Sequence, residues 1–182
     1  SAERLYDSGG TIMDAKSSRL PTGFSAQTEI SGLSSSIAPP LSALGADGAL
    51  YFSDTSLHQI RRVWLYGARK GTVETVAGTG AAGYTGDGGL ATAAQLNRPA
   101  ALAIAPDGAI VFMDQGNYRL RRVTPSGLIE TVAGNGVADS SGQILDGASA
   151  LQQPVSARSL AVARDMTIWA IASYGGELRQ IS

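Results

Sequence analysis

Two copies of one stretch decide the fold of this chain. Residues 47–63 read DGALYFSDTSLHQIRRV, and residues 107–123 read DGAIVFMDQGNYRLRRV. Each copy is followed by a second matching segment, VETVAGTG at 73–80 and IETVAGNG at 129–136. Self-similarity at a nearly fixed period is typical of repeat architectures, in which each copy is one supersecondary unit that packs on its neighbours.

Each copy predicts four short strands, best seen in the second one. The strands are ALAIA (101–105), AIVFMD (109–114), YRLRRV (118–123) and LIETVAG (128–134), separated by the turns PDG, QGN and TPSG. The first strand is apolar throughout, as expected where both faces are buried, and the third alternates polar with apolar residues. Such a meander must pack against its neighbours, so the sequence predicts an all-β fold of four-stranded antiparallel propeller blades.

Weaker copies flank the two clear ones. RDMTIWAIASYGGELRQI at 164–181 aligns with the second copy, and QTEISG at 27–32 resembles its last strand. We therefore expect residues 1–182 to be a single propeller segment, in which 1–32 is a partial blade with an orphan outer strand, 39–78 and 99–134 are blades, and 157–182 is a three-stranded partial blade. Propellers usually need about four to eight blades. About three blades should thus be completed by a second copy, by missing sequence or by another subunit.

The same residues resemble a known family. The order of proline, apolar strand, DG turn, aromatic strand ending in aspartate, and I/L-R-R-V resembles the NHL repeat, and residues 74–136 resemble its bacterial type. The resemblance implies a propeller, commonly of six blades, and an extracytoplasmic location: secreted, periplasmic or in an organelle lumen. It does not fix a function, because NHL propellers include lyases, RNA binders, adhesion modules and scaffolds.

Composition excludes several kinds of chemistry. With one histidine and no cysteine, a thiolate or multi-histidine metal site and a cysteine nucleophile are excluded, and we expect no catalytic residue, cofactor or metal. The net charge of -1 argues against nucleic-acid binding through phosphate contacts. No apolar run has the length of a membrane helix, so membrane insertion is not expected. His58, in a turn, is interpreted as a surface or packing residue.

Two further features have structural and functional interpretations. Asp54 and Asp114 end the second strand of each copy, where an aspartate can accept hydrogen bonds from turn amides. The rival interpretation is a ring of carboxylates that binds metal. The glycine-rich segment 78–99 lacks the lysine of a phosphate-binding loop and offers only Asp87 as a calcium ligand, so we expect a long ordered connection between blades.

Arginines and an enlarged hairpin are the candidates for partner binding. In each pair, Arg61-Arg62 and Arg121-Arg122, one arginine should face a blade while the other pairs with a carboxylate such as Glu74 or Glu130. The alternative is a basic rim for an acidic partner. Hairpin 64–71 is longer than its counterpart 124–127 and carries aromatic residues that either pack on their own blade or form an interaction site. The predicted partner-binding set is Arg61, Arg62, Trp64, Tyr66, Arg69, Arg121 and Arg122.

These observations favour a non-catalytic scaffold or protein-interaction module, acting as an accessory subunit or part of a larger assembly. Its expected partner is another protein or a second copy that completes the propeller. Two alternatives stay open. One is a piece of a propeller enzyme, a lyase or hydrolase with its active site in the funnel. The other is a six-bladed homodimer that binds a small ligand or a glycan.

Overall fold

The computed structural model describes residues 42–138, 147–173 and 176–181, together with two short strands near the beginning of the chain. The chain divides into two compact units, Ser1–Ser31 and Gly32–Ser182. In the first unit, strands β1 (Leu5–Tyr6) and β2 (Ile12–Met13) pair antiparallel. The outer strand expected near residues 24–32 lies outside the described residues.

The described residues of the second unit form three antiparallel meanders. Their strands are β3 (Ser42–Leu44), β4 (Ala49–Asp54), β5 (Gln59–Trp64) and β6 (Val73–Ala77); β7 (Pro99–Ile104), β8 (Ile110–Asp114), β9 (Arg119–Val123) and β10 (Ile129–Ala133); and β11 (Ala157–Val162), β12 (Ile168–Ala172) and β13 (Leu178–Ile181). In each sheet the strands lie in chain order. The prediction of an all-β fold with four-stranded antiparallel blades is confirmed.

The turn between the first two strands of each blade explains why the DG pair recurs. Gly48 and Gly108 have φ angles of 81° and 86°, a left-handed conformation that glycine adopts without a steric cost. The aspartate before each glycine accepts a hydrogen bond from the amide two residues later, Asp47 from Ala49 and Asp107 from Ala109. Each DG pair thus closes a tight turn and fixes the register of the strands that follow.

The middle blade separates two hydrophobic cores. On β8, Ile110 and Phe112 belong to the core shared with the first blade, while Val111 and Met113 belong to the core shared with the third. All four are buried, because successive side chains of a strand point to opposite faces and both faces of this blade are covered. The first strands of the three blades lie side by side, since β7 contacts both β3 and β11.

The connection between the first two blades is ordered by backbone hydrogen bonds. The amides of Gly78 and Thr79 each donate to a carbonyl at 2.9 Å, those of Ala91 and Ala94 respectively. Ala91–Ala93 forms a single 3-10 turn, and the amide of Ala91 donates to the carbonyl of Gly127 at 2.8 Å. Similar bonds recur in the next connection, where the amide of Gly134 donates to the carbonyl of Ala150 at 2.9 Å. The described residues contain no helix of the length and apolarity needed to cross a membrane.

Candidate functional site

The outward-facing arginines of the two full blades sit in matching charged clusters. Strand register places Arg62 between Tyr51 and Glu74, and it places Arg122 beside Glu130. Arg62 lies 2.7 Å from a carboxylate oxygen of Glu74 and 3.7 Å from one of Asp47. These clusters are therefore built by cross-strand pairing.

Carboxylates compensate the charge of both outward-facing arginines. Arg122 lies 3.0 Å from a carboxylate oxygen of Glu130 and also pairs with Asp107. The hydrogen bond from Arg62 lowers the pKa of Glu74 below its ordinary value. The backbone amide of Ala109, and then the hydrogen bond from Arg122, outweigh desolvation and lower the pKa of Asp107. The alternative of a basic rim therefore has no surplus positive charge at these two arginines.

The preceding arginine of each pair turns inward. The guanidinium of Arg121 is fully buried and donates to the carbonyls of Gln95 and Thr85 at 3.0 and 2.9 Å. It also donates to Asp87 at 2.7 Å and lies 3.5 Å from a carboxylate oxygen of Asp114. Arg121 belongs to the predicted partner-binding set, but its side chain is not accessible to a partner, because it is buried between the blade and the preceding connection.

In the first blade, the corresponding Arg61 lies 3.3 Å from a carboxylate oxygen of Asp54, and its side chain is 16% exposed. This arginine thus pairs with the aspartate at the end of its neighbouring strand, as Arg121 does. Because that contact occupies its guanidinium on the inner side of the blade, Arg61 also contributes little to a surface for partners.

The two aspartates that end the second strands are both fully buried. Asp54 accepts a hydrogen bond from the amide of Leu57 at 3.2 Å, within its own turn. Asp114 accepts one from the amide of Asn97 at 2.7 Å and one from the side-chain amide of Asn117 at 2.8 Å. Burial raises the pKa of Asp114 despite these bonds and the nearby Arg121. The carboxylate of Asp114 thus joins its own turn to the end of the connection. Among the described residues, no three histidine, aspartate or glutamate side chains converge to hold a metal ion.

Hairpin 64–71 carries a cation–aromatic cluster. The guanidinium carbons of Arg69 and Arg62 lie 3.6 and 4.7 Å from the ring centroid of Trp64. Trp64 is only 9% exposed, whereas Tyr66 is 71% exposed. Gly67–Arg69 forms a 3-10 turn, and Arg69 lies 3.7 Å from a carboxylate oxygen of Glu74. The hairpin therefore presents one aromatic ring to solvent above a packed base.

Sequence reasoning missed the role of Tyr84 and assigned none to Asp87 beyond that of an insufficient calcium ligand. The Tyr84 hydroxyl lies 3.0 Å from Asp87 and 3.1 Å from the hydroxyl of Thr131, and Arg119 stacks on its ring at 3.9 Å. Desolvation opposes ionisation of Asp87, but hydrogen bonds from Thr131 and Arg121 outweigh it and lower its pKa. No local pattern in the sequence indicated these contacts, because they join residues that are far apart along the chain.

Comparison with known proteins identifies sequences that are similar to this chain. The model of the Teneurin NHL domain matches residues 34–126. Teneurin-m of Drosophila melanogaster is 32% identical over 108 residues, which cover 54% of this chain and 4% of that protein. Protein SUPPRESSOR OF QUENCHING 1, chloroplastic, of Arabidopsis thaliana is 38% identical over 85 residues, which cover 46% of this chain and 8% of that protein. The chain thus spans only a small part of these relatives.

A solved structure shows the same fold. The crystal structure of a structural genomics protein of unknown function from Bacteroides thetaiotaomicron aligns with a TM-score of 0.61 at 22% sequence identity. The alignment covers 74% of this chain and 32% of that chain. At this identity the likeness concerns the fold and carries no argument about activity.

Proposed function

Since this chain belongs to the family of the Teneurin NHL domain, we propose that it is a non-catalytic protein-interaction module that binds a protein partner through hairpin 64–71. One observation carries the proposal. Tyr66 is 71% exposed on a base made rigid by Trp64 and Arg69. Exposed aromatic and arginine side chains on an ordered base are the residue types that dominate binding energy at protein interfaces.

The neighbouring blade supplies an internal comparison. At the same place in the repeat it has only TPSG (124–127), a turn closed by hydrogen bonds from the amide of Thr124 to the carbonyl of Leu128 at 2.8 Å and from the amide of Gly127 to the carbonyl of Thr124 at 2.9 Å. Five residues, 124–128, therefore suffice to join β9 and β10. The longer hairpin exceeds what the connection requires, and its most exposed aromatic residue, Tyr66, leaves 71% of its surface to solvent.

An extracytoplasmic location and completion of the propeller by the partner are parts of the same proposal. The teneurin relatives are consistent with an extracellular or secreted chain. A second copy of the chain is one form that the partner can take, and in that case the hairpin would lie at the contact between copies.

Site-specific photocrosslinking tests this function. The photoreactive residue p-benzoylphenylalanine replaces Tyr66 in one preparation and Ser126, in the short turn, in a matched control. We expect position 66 to give one discrete crosslinked protein from native source material and position 126 to give none. Excess wild-type chain should compete for the partner, whereas a chain carrying Tyr66→Ser and Arg69→Ser should not.

The result identifies the kind of partner. A crosslinked species at twice the mass of the chain would identify a second copy, and a different mass would identify another protein. Equal crosslinking from both positions, or competition by the double variant, would show that the hairpin is not the binding surface. Because Tyr66 is mostly exposed, its replacement should leave stability nearly unchanged.

A further inference from the structure

A cavity lies where parts of three sheets meet in the second unit. Its volume is about 670 Å³, within the range of about 300 to 1,000 Å³ found for small-molecule sites. His58 comes from the turn after β4. Arg98 directly precedes β7 and Ala100 lies in it, while Ala157 and Arg158 lie at the beginning of β11. No residue of hairpin 64–71 lines it, so this cavity is separate from the surface proposed for protein binding.

The charge of the cavity wall has one sign. Arg98 and Arg158 line it, and among the described residues no carboxylate does. Within the described part of the chain neither of these arginines forms an ion pair, whereas the inward-facing Arg61 and Arg121 both do. An arginine without a carboxylate partner, on a wall that lacks acidic groups, favours a negatively charged ligand.

A specific backbone contact holds His58 at this wall. The amide of Arg98 donates a hydrogen bond to Nδ1 of His58 at 3.0 Å. Since Nδ1 accepts this bond, the ring proton lies on Nε2, which leaves Nε2–H as a donor. The wall of the cavity thus combines one imidazole donor with two guanidinium groups.

The contact depends on the backbone conformation of Arg98. Arg98 has a φ of 53°, unusual for a residue with a side chain. The counterpart of His58 is Tyr118, which has a similar φ of 50° but no ring nitrogen to accept an amide proton. Left-handed backbone at such a residue is strained, and such strain clusters at ligand sites.

We propose that this cavity binds a small organic anion whose oxyanion group, a carboxylate or a phosphate, is held by Arg98, Arg158 and Nε2–H of His58. The planar guanidinium groups match the geometry of either oxyanion. Ala100, Ala101 and Ala157 form the apolar part of the wall, against which the body of the ligand packs. This site is independent of the protein-binding hairpin, so either proposal can fail without the other.

The single histidine makes the cavity directly observable. In the full chain labelled with ¹³C and ¹⁵N only at histidine, every imidazole signal belongs to His58. The probes are benzoate, phenyl phosphate and the uncharged benzyl alcohol, added at constant ionic strength and pH. We expect saturable shifts of the His58 signals with at least one anion and none with benzyl alcohol. Benzoate alone would identify a carboxylate site, and phenyl phosphate alone a phosphate site.

Arginine variants separate a built site from general attraction of anions. Arg98→Asn removes the guanidinium and keeps a side chain that tolerates positive φ, and Arg158→Gln removes the second one. Each should weaken binding of the anion about tenfold or more, as expected for loss of a hydrogen bond to a charged group. Arg164→Gln removes an exposed charge outside the cavity and should leave the affinity unchanged.

Three outcomes would overturn the proposal. They are the absence of a saturable shift with either anion, an equal shift with benzyl alcohol, and equal weakening by Arg164→Gln and the two cavity variants. If Arg98→Asn does not fold, Arg158→Gln decides the question alone, because the side chain of Arg158 makes no hydrogen bond or ion pair within the described residues on which the fold would depend. Crosslinking through position 66 should be unaffected by either variant.

Discussion

Replacing Arg121 by methionine should cost far more stability than the same replacement at the next residue, Arg122. The two changes remove the same charge from adjacent positions of β9. Their surroundings differ: the side chain of Arg121 is 0% exposed, and that of Arg122 is 25% exposed. The comparison therefore isolates the effect of burial on a charged contact.

The magnitude follows from the partners that each arginine leaves behind. Without Arg121, the fully buried carboxylate of Asp114 loses its cation, and removing one member of a buried ion pair costs about 3–5 kcal/mol. The carbonyls of Thr85 and Gln95 also lose their donor, while Asp87, 37% exposed, regains water. We expect a total loss of at least about 3 kcal/mol from Arg121→Met.

The loss from Arg122→Met should be much smaller. Its carboxylate partners Asp107 and Glu130 are 36% and 48% exposed, so water replaces the arginine when it is removed. Ion pairs of this kind contribute about 0–1 kcal/mol. Because domains of this size are stable by only about 5–15 kcal/mol, the two variants should differ plainly in their unfolding midpoints.

Urea unfolding followed by tryptophan fluorescence and circular dichroism measures both losses. The double variant Arg121→Met, Asp114→Asn should recover part of the loss, since no uncompensated charge is then buried. Equal losses of unfolding free energy for Arg121→Met and Arg122→Met would refute the reasoning. It would also be refuted if the loss in the double variant exceeded the sum of the losses in its two single variants. If Arg121→Met does not fold, the double variant still tests the argument.

Two further predictions concern single positions. Met166 has a φ of 71° where the other blades have glycine, so Met166→Gly should raise the melting temperature by relieving strain of about 1 kcal/mol, whereas Gly108→Met should lower it. The lowered pKa of Asp107 means that its stabilising contribution is complete above the ordinary carboxyl pKa of about 4 and is lost as the pH falls below that value. Asp107→Asn should therefore reduce stability at pH 7 and flatten the acid limb of the stability curve; an unchanged limb would contradict this.

The amino-acid sequence was sufficient to predict the blades, because the turn and strand patterns that indicate them are local. The DG turn needs only a glycine with positive φ and an aspartate before it. The aspartate side chain accepts a hydrogen bond from the backbone amide two residues later. Strand alternation likewise showed that Arg61 and Arg62 point to opposite faces, which the structure shows with Asp54 on one side and Glu74 on the other. These relations depend on neighbouring strands whose register the turns fix.

The partners of Arg121 could not be read in the same way. Asp87 lies in a connection whose path is set by backbone hydrogen bonds, and its distance from Arg121 along the sequence gives no indication of contact. The cavity is still harder to predict from the sequence, because His58, Arg98 and Arg158 come from three sheets and line one wall only after the blades have packed. From the sequence, His58 was interpreted as a surface or packing residue. Nothing in the sequence indicates its hydrogen bond with the amide of Arg98, because that bond depends on an unusual backbone conformation of Arg98.

The contacts of Arg121 also define what a transplantable unit of this protein would be. Counted by strands, the second repeat begins at Pro99. Counted by the contacts of Arg121, it begins no later than Thr85, because the carbonyls that accept from Arg121 lie upstream of the first strand. A chimera that moves 99–134 alone would bury a guanidinium without these two carbonyls. We expect a copy to be gained or lost without this damage only when the cut falls before Thr85, so that each blade carries the part of the preceding connection that its arginine contacts.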